Sequence, residues 1–422
     1  MDMDRRDARE KMGLEGRAPD EVLKFATIPE TTAFPAAGTC FASVPASLVF
    51  TVTTDLNYDQ RMQRICGSLA HAGYAVLLVG RQWPASRPLT PQPYRQHRLR
   101  CWFGRGKLFY VEYNLRLLLY LLGQRATAWC AIDLDTALPV WLRARLGGQP
   151  FIYDAHELFT EVPEVVARPR VQRLWRAIEN FIVPRATLAY TVGPALAQLF
   201  ERRHGRPFAV VRNISRLVEP AAGAPASPTS APVILYQGAL NAGRGLEPLL
   251  EAMPQVRGRL VICGEGDLSA ELRAQARRLG LLDSGQVEFR GYVLPAELRE
   301  LTRQATVGVL LLENQGLSYY YSLANKFFDY LHAGVPQVVI DFPEYRALNA
   351  QYQVADLIPD LEPTTLAAAL NHLLPEVGDA AHYQRLAENC RRARQTLNWQ
   401  HEEQHLLALY ARLLSHSLPS AS

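Results

Sequence analysis

The sequence predicts an α/β protein of two domains, each containing a parallel sheet. Short β-prone apolar runs alternate with stretches of helical periodicity, and such β-loop-α-β units build parallel sheets. The chain has 422 residues, too many for one ordinary core, and one proline-rich stretch divides the alternation into two halves. Ligands of such sheets bind outside the carboxyl ends of the strands. We therefore expect two Rossmann-like domains that face each other across a cleft.

The first half of the alternation begins near residue 47. Between the first two predicted strands, Met62, Ile65 and Leu69 follow one another at intervals of three and four residues, which predicts a helix. The strands are predicted at residues 47–53, 75–79, 151–153, 189–192 and 208–211, and a further helix at 171–183. This half predicts an N-terminal domain over residues 46–218. An N-terminal extension of little order, residues 1–45, precedes it.

The second half follows residues 219–232, which hold four prolines and no large apolar side chain and therefore predict a linker. Predicted strands are 233–236, 260–263, 287–290, 307–312 and 336–340, and predicted helices are 246–253, 268–279, 295–304 and 325–332. The second domain is thus predicted over residues 233–395. One helix is predicted over residues 383–414, and the C-terminal segment 396–422 is expected to pack back on the first domain.

Composition narrows the class of protein. The formal net charge is +4, which is too mildly basic for a nucleic-acid binder but permits contact with anionic lipid. Six scattered cysteines without metal-ligand spacing indicate reduced core thiols. No apolar run approaches the length of a membrane span, and the charged N-terminus is no secretory signal. We expect a cytoplasmic protein, with peripheral contact at the inner face of an anionic membrane as an open alternative.

One segment bears on that alternative. Four arginines and one tryptophan occur at residues 168, 170, 173, 176 and 175. They form either a solvated helix face, which we favour, or a basic amphipathic membrane face.

Two glycine-containing turns follow predicted strands of the second domain. The first contains Gly238 and then Gly243-Arg244-Gly245 before a helix. Backbone N–H groups, a helix start and an arginine together suit a phosphate, although an ordinary strand-to-helix turn has the same glycines. The second contains Gly264 and Glu265, and taken alone it is more typical of scaffolding.

A polar loop leads from the predicted strand 307–312 into the next helix. Its glycine and the start of the helix suit a diphosphate, and Lys326 can neutralise phosphate charge. Asp329, nearly one turn further on, can accept hydrogen bonds from a ribose diol. The alternative is a helix with a capping serine and a solvated charge pair; three consecutive tyrosines on the loop favour a recognition function.

Acidic and imidazole side chains cluster after strands of the first domain. Asp154, His156 and Glu157 follow the predicted strand 151–153, and Asp133 is a further candidate for the same cleft. Such a cluster can orient an acceptor hydroxyl or stabilise charge in a transition state, although a lone histidine is more often structural. Asp59 and Arg61 lie in the first β-to-α loop.

The segment His401-Glu402-Glu403-Gln404-His405 matches the zinc pattern H-E-x-x-H. It lies in a charged C-terminal helix, and no evident third ligand follows it. We interpret it as a solvated helix face and predict no metal site.

Taken together, these segments resemble glycosyltransferase family 4, whose members have the GT-B fold. The most specific pieces are Tyr-Asp-Ala-His-Glu-Leu at 153–158, Gln-Gly-x-x-x-x-x-Arg-Gly at 237–245 and Ser-Leu-Ala-Asn-Lys-Phe-Phe-Asp-Tyr at 322–330. The resemblance covers nearly the whole chain from about residue 47 to residue 414. It implies a retaining, metal-independent glycosyltransferase of the hexosyltransferase type, with a nucleotide diphosphate sugar as co-substrate and no other cofactor.

The resemblance also implies roles for residues. The acceptor, a glycan or glycolipid of cell-surface polysaccharide synthesis, would bind the first domain and the donor the second. The implied catalytic residues are His156, Arg244 and Lys326. The implied donor-binding residues are Gly238, Arg244, Gly264, Glu265, Ser322, Asn325, Lys326 and Asp329, and the implied acceptor-side residues are Asp59, Arg61, Asp133, Asp154 and Glu157.

Three positions depart from the family pattern. Tyr321 stands where the family often has the first of two glutamates, and Asp329 stands at the second. Ala239 replaces a basic residue after Gly238, and the usual glycine pair of the first β-to-α loop is absent. A nucleotide-sugar-binding protein without turnover, or an epimerase or hydrolase of the same fold, therefore remains as an alternative. Fold alone does not fix function.

Overall fold

The computed structural model describes residues 45–218 and 232–415, all of which lie within one compact unit. The predicted extension, nearly all of the predicted linker and the last seven residues of the tail lie outside the described residues. The remainder forms two parallel sheets with helices on their faces.

The first sheet has seven strands, all paired in parallel. They are β1 (Ser47–Thr51), β2 (Ala75–Gln82), β3 (Arg95–Arg100), β4 (Ala128–Ile132), β5 (Phe151–Ala155), β6 (Leu188–Thr191) and β7 (Ala209–Val210). The connecting helices are α1 (Gln60–His71), α2 (Gly106–Leu122), α3 (Ala137–Gly147), α4 (Pro163–Val166), α5 (Pro169–Ile182) and α6 (Pro194–His204).

The second sheet has six parallel strands. They are β8 (Val233–Gln237), β9 (Arg259–Cys263), β10 (Val287–Gly291), β11 (Val307–Leu310), β12 (Gln337–Ile340) and β13 (Ala355–Ile358). The helices of this half are α7 (Leu246–Ala252), α8 (Ser269–Arg278), α9 (Pro295–Gln304), α10 (Leu317–Tyr320), α11 (Asn325–Ala333), α12 (Pro343–Tyr352), α13 (Pro363–Leu373) and α14 (Ala380–Ala393), followed by the C-terminal α15 (Trp399–Ser415).

The strand orders confirm the predicted fold class. The first sheet runs β3-β2-β1-β4-β5-β6-β7 and the second β10-β9-β8-β11-β12-β13. Both are doubly wound orders of the Rossmann type, in which the chain reverses direction across the sheet next to the first strand. A ligand crevice is therefore expected beside β1 and β4 in one half, and beside β8 and β11 in the other.

Apolar side chains from both faces of each sheet form the cores. In the first sheet, one cluster packs under α2, α3 and α6 and another under α1. The C-terminal helix α15 joins the second of these clusters through Trp399 and Tyr410. The Trp399 indole donates to the Ser68 hydroxyl at 2.9 Å, and the Tyr410 and Tyr190 hydroxyls lie 3.2 Å apart.

The prediction of one helix over residues 383–414 is wrong, because α14 and α15 are separate helices. Asn398 explains the break. Its side-chain amide donates to the carbonyls of Arg394 and Gln395 at the end of α14, and its side-chain oxygen accepts from the backbone N–H of His401 in α15. One side chain thus satisfies unpaired backbone groups on both sides of the break.

Candidate active site

The candidate site lies where the carboxyl ends of the two sheets come together. Two cavities, of about 940 and 760 Å³, open there. The larger is lined mainly by the first domain and the smaller by α1 together with the loop after β10, α9 and α11. Both are lined by Gln60 and Asn325. The two cavities therefore meet at the start of α11.

Two basic side chains approach each other on the second domain. The Nζ of Lys326 lies 4.0 Å from the centre of the Tyr236 ring, and the guanidinium of Arg244 lies over Tyr319. Burial lowers the pKa of Lys326 to about 7, and the nearby Arg244 acts in the same direction while Asp329 opposes it. Within residues 45–218 and 232–415, neither cation forms an ion pair, and the buried Nε of Arg244 has no hydrogen-bond partner. The pair is therefore short of negative charge.

Glycines bring the backbone close to these cations. Gly264 has a φ of +150°, and a Cβ there would overlap the carbonyl oxygen of Gly238, so only glycine fits. Gly238 has a φ of +133°, and a Cβ there would lie 3.2 Å from the Nζ of Lys326. The turns after β8 and β9 thus bring the main chain of Gly238 close to the Lys326 amine, with no side chain between them.

Asp329, on the inner side of α11, is held by two donors from different parts of the chain. The Ser215 hydroxyl donates to one carboxylate oxygen and the Gln237 amide to the other, both at 3.1 Å. Burial raises the pKa of Asp329 to about 6. Each oxygen keeps a further lone pair, so the carboxylate can still accept a hydrogen bond from a ligand.

The other predicted donor-side residues have different surroundings. The Glu265 carboxylate pairs with Arg273 at 2.6 Å, and this contact is the main reason that its pKa falls to about 2. The Ser322 hydroxyl donates to the Tyr319 carbonyl at 2.7 Å, within the turn before α11. Asn325 is exposed at the first position of α11. Of these three, Asn325 alone lines the two cavities.

The acidic and imidazole cluster predicted on the first domain is brought together. The backbone N–H of His156 donates to Asp133 at 2.8 Å, and its Nε2 lies 3.2 Å from an Asp154 oxygen. Asp133 adopts a left-handed backbone, with a φ of +54°. This conformation lets one loop present a carboxylate to the next loop. The imidazole is thereby fixed at the wall of the larger cavity.

The surroundings of this cluster shift the pKa values of its members in different directions. Burial opposes the protonated imidazole, but the carboxylates of Asp154 and Asp133 outweigh it and raise the pKa of His156. Burial raises the pKa of Asp133 to about 8. Burial also opposes the Asp154 anion, but Arg61 and His156 lower its pKa below the usual value. The pKa of Asp154 is thus lowered while those of its neighbours Asp133 and His156 are raised.

Arg61 and Asp59 occupy the first β-to-α loop and the start of α1. The buried Arg61 guanidinium donates to the Asp154 carboxylate at 3.0 Å and to the Val211 carbonyl at 2.9 Å. Arg61 is thus placed to hold Asp154. Asp59 caps α1 by accepting from the Met62 N–H, and it lines the larger cavity.

Contacts between the two sheets' loops close the cleft at one side. The Glu157 carboxylate lies near the Ser318 hydroxyl of the second domain. The Glu344 carboxylate accepts from the backbone N–H of Leu196 at 3.0 Å, in the first turn of α6. Both contacts join a residue of one domain to a residue of the other.

Comparison with known protein families identifies the family to which this chain belongs. Residues 58–215 match the family described as "Glycosyl transferase 4-like domain", and residues 231–376 match "Glycosyl transferases group 1". The two matches together span most of the chain. The protein is a group 1 (family 4) glycosyltransferase. The enzyme class predicted from the sequence is thereby confirmed.

Solved structures have the same fold as this glycosyltransferase. Sucrose-phosphate synthase of Thermosynechococcus elongatus is 19% identical, with a TM-score of 0.71 over 88% of this chain and 100% of that chain. HepE of Anabaena, in complex with UDP-glucose, is 14% identical, with a TM-score of 0.66 over 87% and 99%. WaaG, a glycosyltransferase involved in lipopolysaccharide biosynthesis, is 15% identical, with a TM-score of 0.64 over 86% and 99%.

No protein in the curated set matches the chain. Of the helices in the described part of this glycosyltransferase, none combines the length and the apolar character that crossing a membrane requires.

The residues of the H-E-x-x-H segment have partners of their own in the glycosyltransferase. Glu402 pairs with Arg212 at 2.9 Å and Glu403 with Arg216 at 2.7 Å. His401 hydrogen-bonds to Asn398. These contacts fasten α15 to the chain around residue 212.

The sequence did not single out several residues that shape the site. Ser215 and Gln237 hold Asp329 but lie 114 and 92 residues from it in the chain. Tyr236 packs under Lys326, and Trp83 lines the larger cavity. Only Gln237 had a signal, since it immediately precedes the glycine turn of the family pattern.

Proposed function

We propose that the protein is a retaining transferase that moves a sugar from a nucleotide diphosphate sugar to a glycan or glycolipid acceptor of cell-surface polysaccharide synthesis. The observation that carries this proposal is the pair of cations Lys326 and Arg244, neither of which forms an ion pair with any of the described residues. A diphosphate supplies the missing charge, and group transfer leaves a diphosphate with increased negative charge.

The donor side supports a nucleotide at the start of α11. Backbone N–H groups at a helix N-terminus favour an anion, and the glycine turn after β8 brings the main chain close to the Lys326 amine. Asp329 lies one turn further along α11 and keeps acceptor capacity for a ribose diol. The diphosphate would therefore lie against Lys326 and Arg244, with the ribose toward Asp329.

The acceptor side supports a polar hydroxyl-bearing substrate. His156, Asp59 and the loops beside them line the larger cavity, which meets the donor side at Asn325. In a front-face transfer, the bond from the anomeric carbon to the diphosphate oxygen breaks. The acceptor oxygen bonds to the same face of the sugar, and its proton passes to the departing diphosphate. His156, held by Asp154, would orient the reacting sugar, and no protein nucleophile is needed.

Two similar structures suggest the class of substrate. HepE was solved with UDP and with UDP-glucose, and WaaG acts in lipopolysaccharide biosynthesis. We therefore propose a uridine nucleotide as the first donor to test and a cell-surface glycan precursor as the acceptor.

The test is a thermal-shift screen against UDP, GDP, ADP and dTDP, followed by calorimetry with the nucleotide that binds. A ligand that binds the folded state raises the apparent melting temperature by mass action. We expect one nucleotide to stabilise the wild type and Lys326→Ala to lose most of that stabilisation. Arg278→Ala, an exposed arginine at the end of α8, is the matched control and should bind normally.

Turnover is tested separately with the corresponding nucleotide sugar. Release of the nucleoside diphosphate that depends on an added glycan acceptor, with the anomeric configuration retained in the product, is the expected result. Nucleotide binding without acceptor-dependent release would show that the chain keeps a donor site but is not a transferase. Absence of binding by all four nucleotides would overturn the donor site itself.

A further inference from the structure

Helix α2 presents an aliphatic face to solvent. Its exposed residues beyond the first turn are all aliphatic: Leu108, Val111, Leu115, Leu119 and Leu122. Their spacing of three and four residues places them along one side of the helix. The opposite side packs into the core through Phe109, Tyr113, Leu117 and Leu121. An α-helix that is apolar on both its inner and its outer side has a second apolar surface to cover.

The loop before α2 adds two exposed aromatic side chains and is rigidly held. Trp102 is 86% exposed and Phe103 is exposed as well. The Glu112 carboxylate accepts from the backbone N–H groups of both residues, at 2.9–3.0 Å, and also pairs with Arg116 at 2.8 Å. The Arg116 guanidinium lies over the Trp102 ring. The indole is therefore presented on a fixed loop rather than folded into the core.

The exposed charges of the helices that form this face have one sign. Helices α2, α3 and α5 lie on the same face of the first sheet, α2 against α3 and α3 against α5. Their exposed charged side chains are Lys107, Arg145, Arg170, Arg173 and Arg176, all basic. The acidic residues of these three helices, Glu112 and Glu179, are not exposed, and each has a basic or histidine partner.

We propose that this face, α2 with the Trp102–Phe103 loop and its basic rim, binds the surface of an anionic lipid bilayer. Aliphatic and aromatic side chains enter the boundary between headgroups and acyl chains, and basic side chains contact anionic headgroups. A second copy of this chain fits less well, because a twofold interface would set the same basic rim against itself. The arginines of α5, considered as a membrane face from sequence alone, form part of this rim, and α2 supplies its apolar part.

The lipid-binding face adjoins the acceptor side of the site, and this step rests on the proposed function. The Arg81 guanidinium lies 3.5 Å from the centre of the Trp83 ring and 3.9 Å from that of Phe109 in α2. It also donates to the carbonyls of Phe103 and Gly104. Because Trp83 lines the larger cavity, the cavity opens next to the loop that enters the lipid. An acceptor anchored in the same leaflet would reach the site without leaving the membrane.

The experiment is vesicle flotation of the full-length chain. Vesicles of phosphatidylcholine alone are compared with vesicles containing 30% phosphatidylglycerol, roughly the anionic fraction at which surface potential attracts basic segments. We expect flotation with the anionic vesicles only, weakened by salt. Leu115→Ser with Leu119→Ser should lower partitioning of the protein onto anionic vesicles at least roughly tenfold, because two aliphatic side chains that would enter the bilayer are lost. Arg145→Ser with Arg173→Ser should lower it by roughly the same factor and reduce the salt dependence.

The control is Leu279→Ser, an exposed leucine at the end of α8, which should float like the wild type. Nucleotide binding by the α2 variants must stay unchanged, which separates loss of this surface from loss of the donor site. Equal flotation of the wild type and the α2 double variant would overturn the proposal. A chain that is dimeric in solution and becomes monomeric through Leu115→Ser with Leu119→Ser would also overturn it, since a second copy would then cover the face.

Discussion

Lys326 gives the most direct test of the donor site, because its charge should change when the donor binds. In the free protein, burial and the nearby Arg244 lower its pKa to about 7. A bound diphosphate adds opposite charge beside the amine and restores the protonated form. Donor binding is therefore coupled to proton uptake whenever the free amine is neutral. Because donor binding raises the pKa of Lys326, the effect of Lys326 on donor affinity is greatest where its amine is already protonated in the free protein. Donor affinity then falls as the pH rises above the pKa of the free protein, about 7.

The size of the effect follows from that pKa. At pH 8 roughly one chain in eleven has a protonated Lys326, so apparent affinity falls about elevenfold relative to the form with Lys326 fully protonated, and at pH 8.5 about thirtyfold. Proton uptake on binding is about 0.9 at pH 8 and about 0.1 at pH 6. Lys326→Met removes the charge while keeping most of the volume. Its affinity at pH 6 should be roughly ten- to a hundredfold weaker, as expected for loss of a charge-assisted contact.

The assay is isothermal titration calorimetry from pH 5.5 to 9 in buffers of different ionisation enthalpy. UDP-glucose is preferable to UDP, because both of its phosphates are diesters and carry no proton in this range. Above pH 7, where Asp329 is ionised, Lys326→Met should show a flat pH profile. Its melting temperature should be no lower than that of the wild type, because the substitution removes a buried cation beside Arg244. A pH-independent affinity in the wild type, or the same slope in the variant, would refute this account of the cation pair.

Three further changes test separate parts of the structure. His156→Ala should lower kcat about a hundredfold while leaving the nucleotide Kd unchanged, and an equal loss in both would contradict its place on the sugar side. Gly264→Ala should destabilise the protein by roughly 2–4 kcal/mol in urea unfolding because its Cβ overlaps a backbone oxygen, whereas Gly280→Ala, with a φ of +71° and open space, should cost only about 1 kcal/mol. Burial raises the pKa of Glu344 to about 7, so the folded chain holds its proton more tightly than the unfolded chain, and stability should fall as the pH rises from 4.5 to 7, by about 3 kcal/mol in total. Glu344→Gln should remove that fall, and an unchanged pH profile would exclude Glu344 as its source.

The alternating pattern was sufficient for the fold class because parallel strands buried on both faces are continuous apolar runs. It did not identify every element: the strands β4 and β13 were not predicted, and neither was the edge strand Arg95–Arg100. Among the described residues this edge strand pairs only with β2, and it consists largely of basic and polar side chains, so its sequence is not typical of a strand. Helix Gly106–Leu122 is apolar on its outer side as well as its inner side and therefore lacks helical amphipathicity.

Some features of the candidate site could likewise be predicted from the sequence, and others could not. Glycine turns and a helix start are local features, and the sequence indicated Gly238, Gly264 and Lys326 from them. The surroundings of Asp329 depend on Ser215, which another domain supplies from 114 residues away. The contact of Ser215 with Asp329 depends on how the two domains pack against each other. The sequence around Asp329 therefore does not indicate it.

Tyr321 shows how that closure bears on the departure from the family pattern. Its side chain packs against the apolar cluster of the first domain and lies near Arg202. Placed there, the ring fastens the loop before α11 to the opposite domain, a packing role that a carboxylate would not fill. Tyr321→Phe keeps the ring and should retain transfer, with little loss of stability. Tyr321→Ala removes the packing and should lower kcat/KM for transfer while nucleotide binding persists. If the hydroxyl instead contacts the donor sugar, Tyr321→Phe will lose as much transfer activity as Tyr321→Ala, and initial rates of the two variants at matched donor saturation distinguish these outcomes.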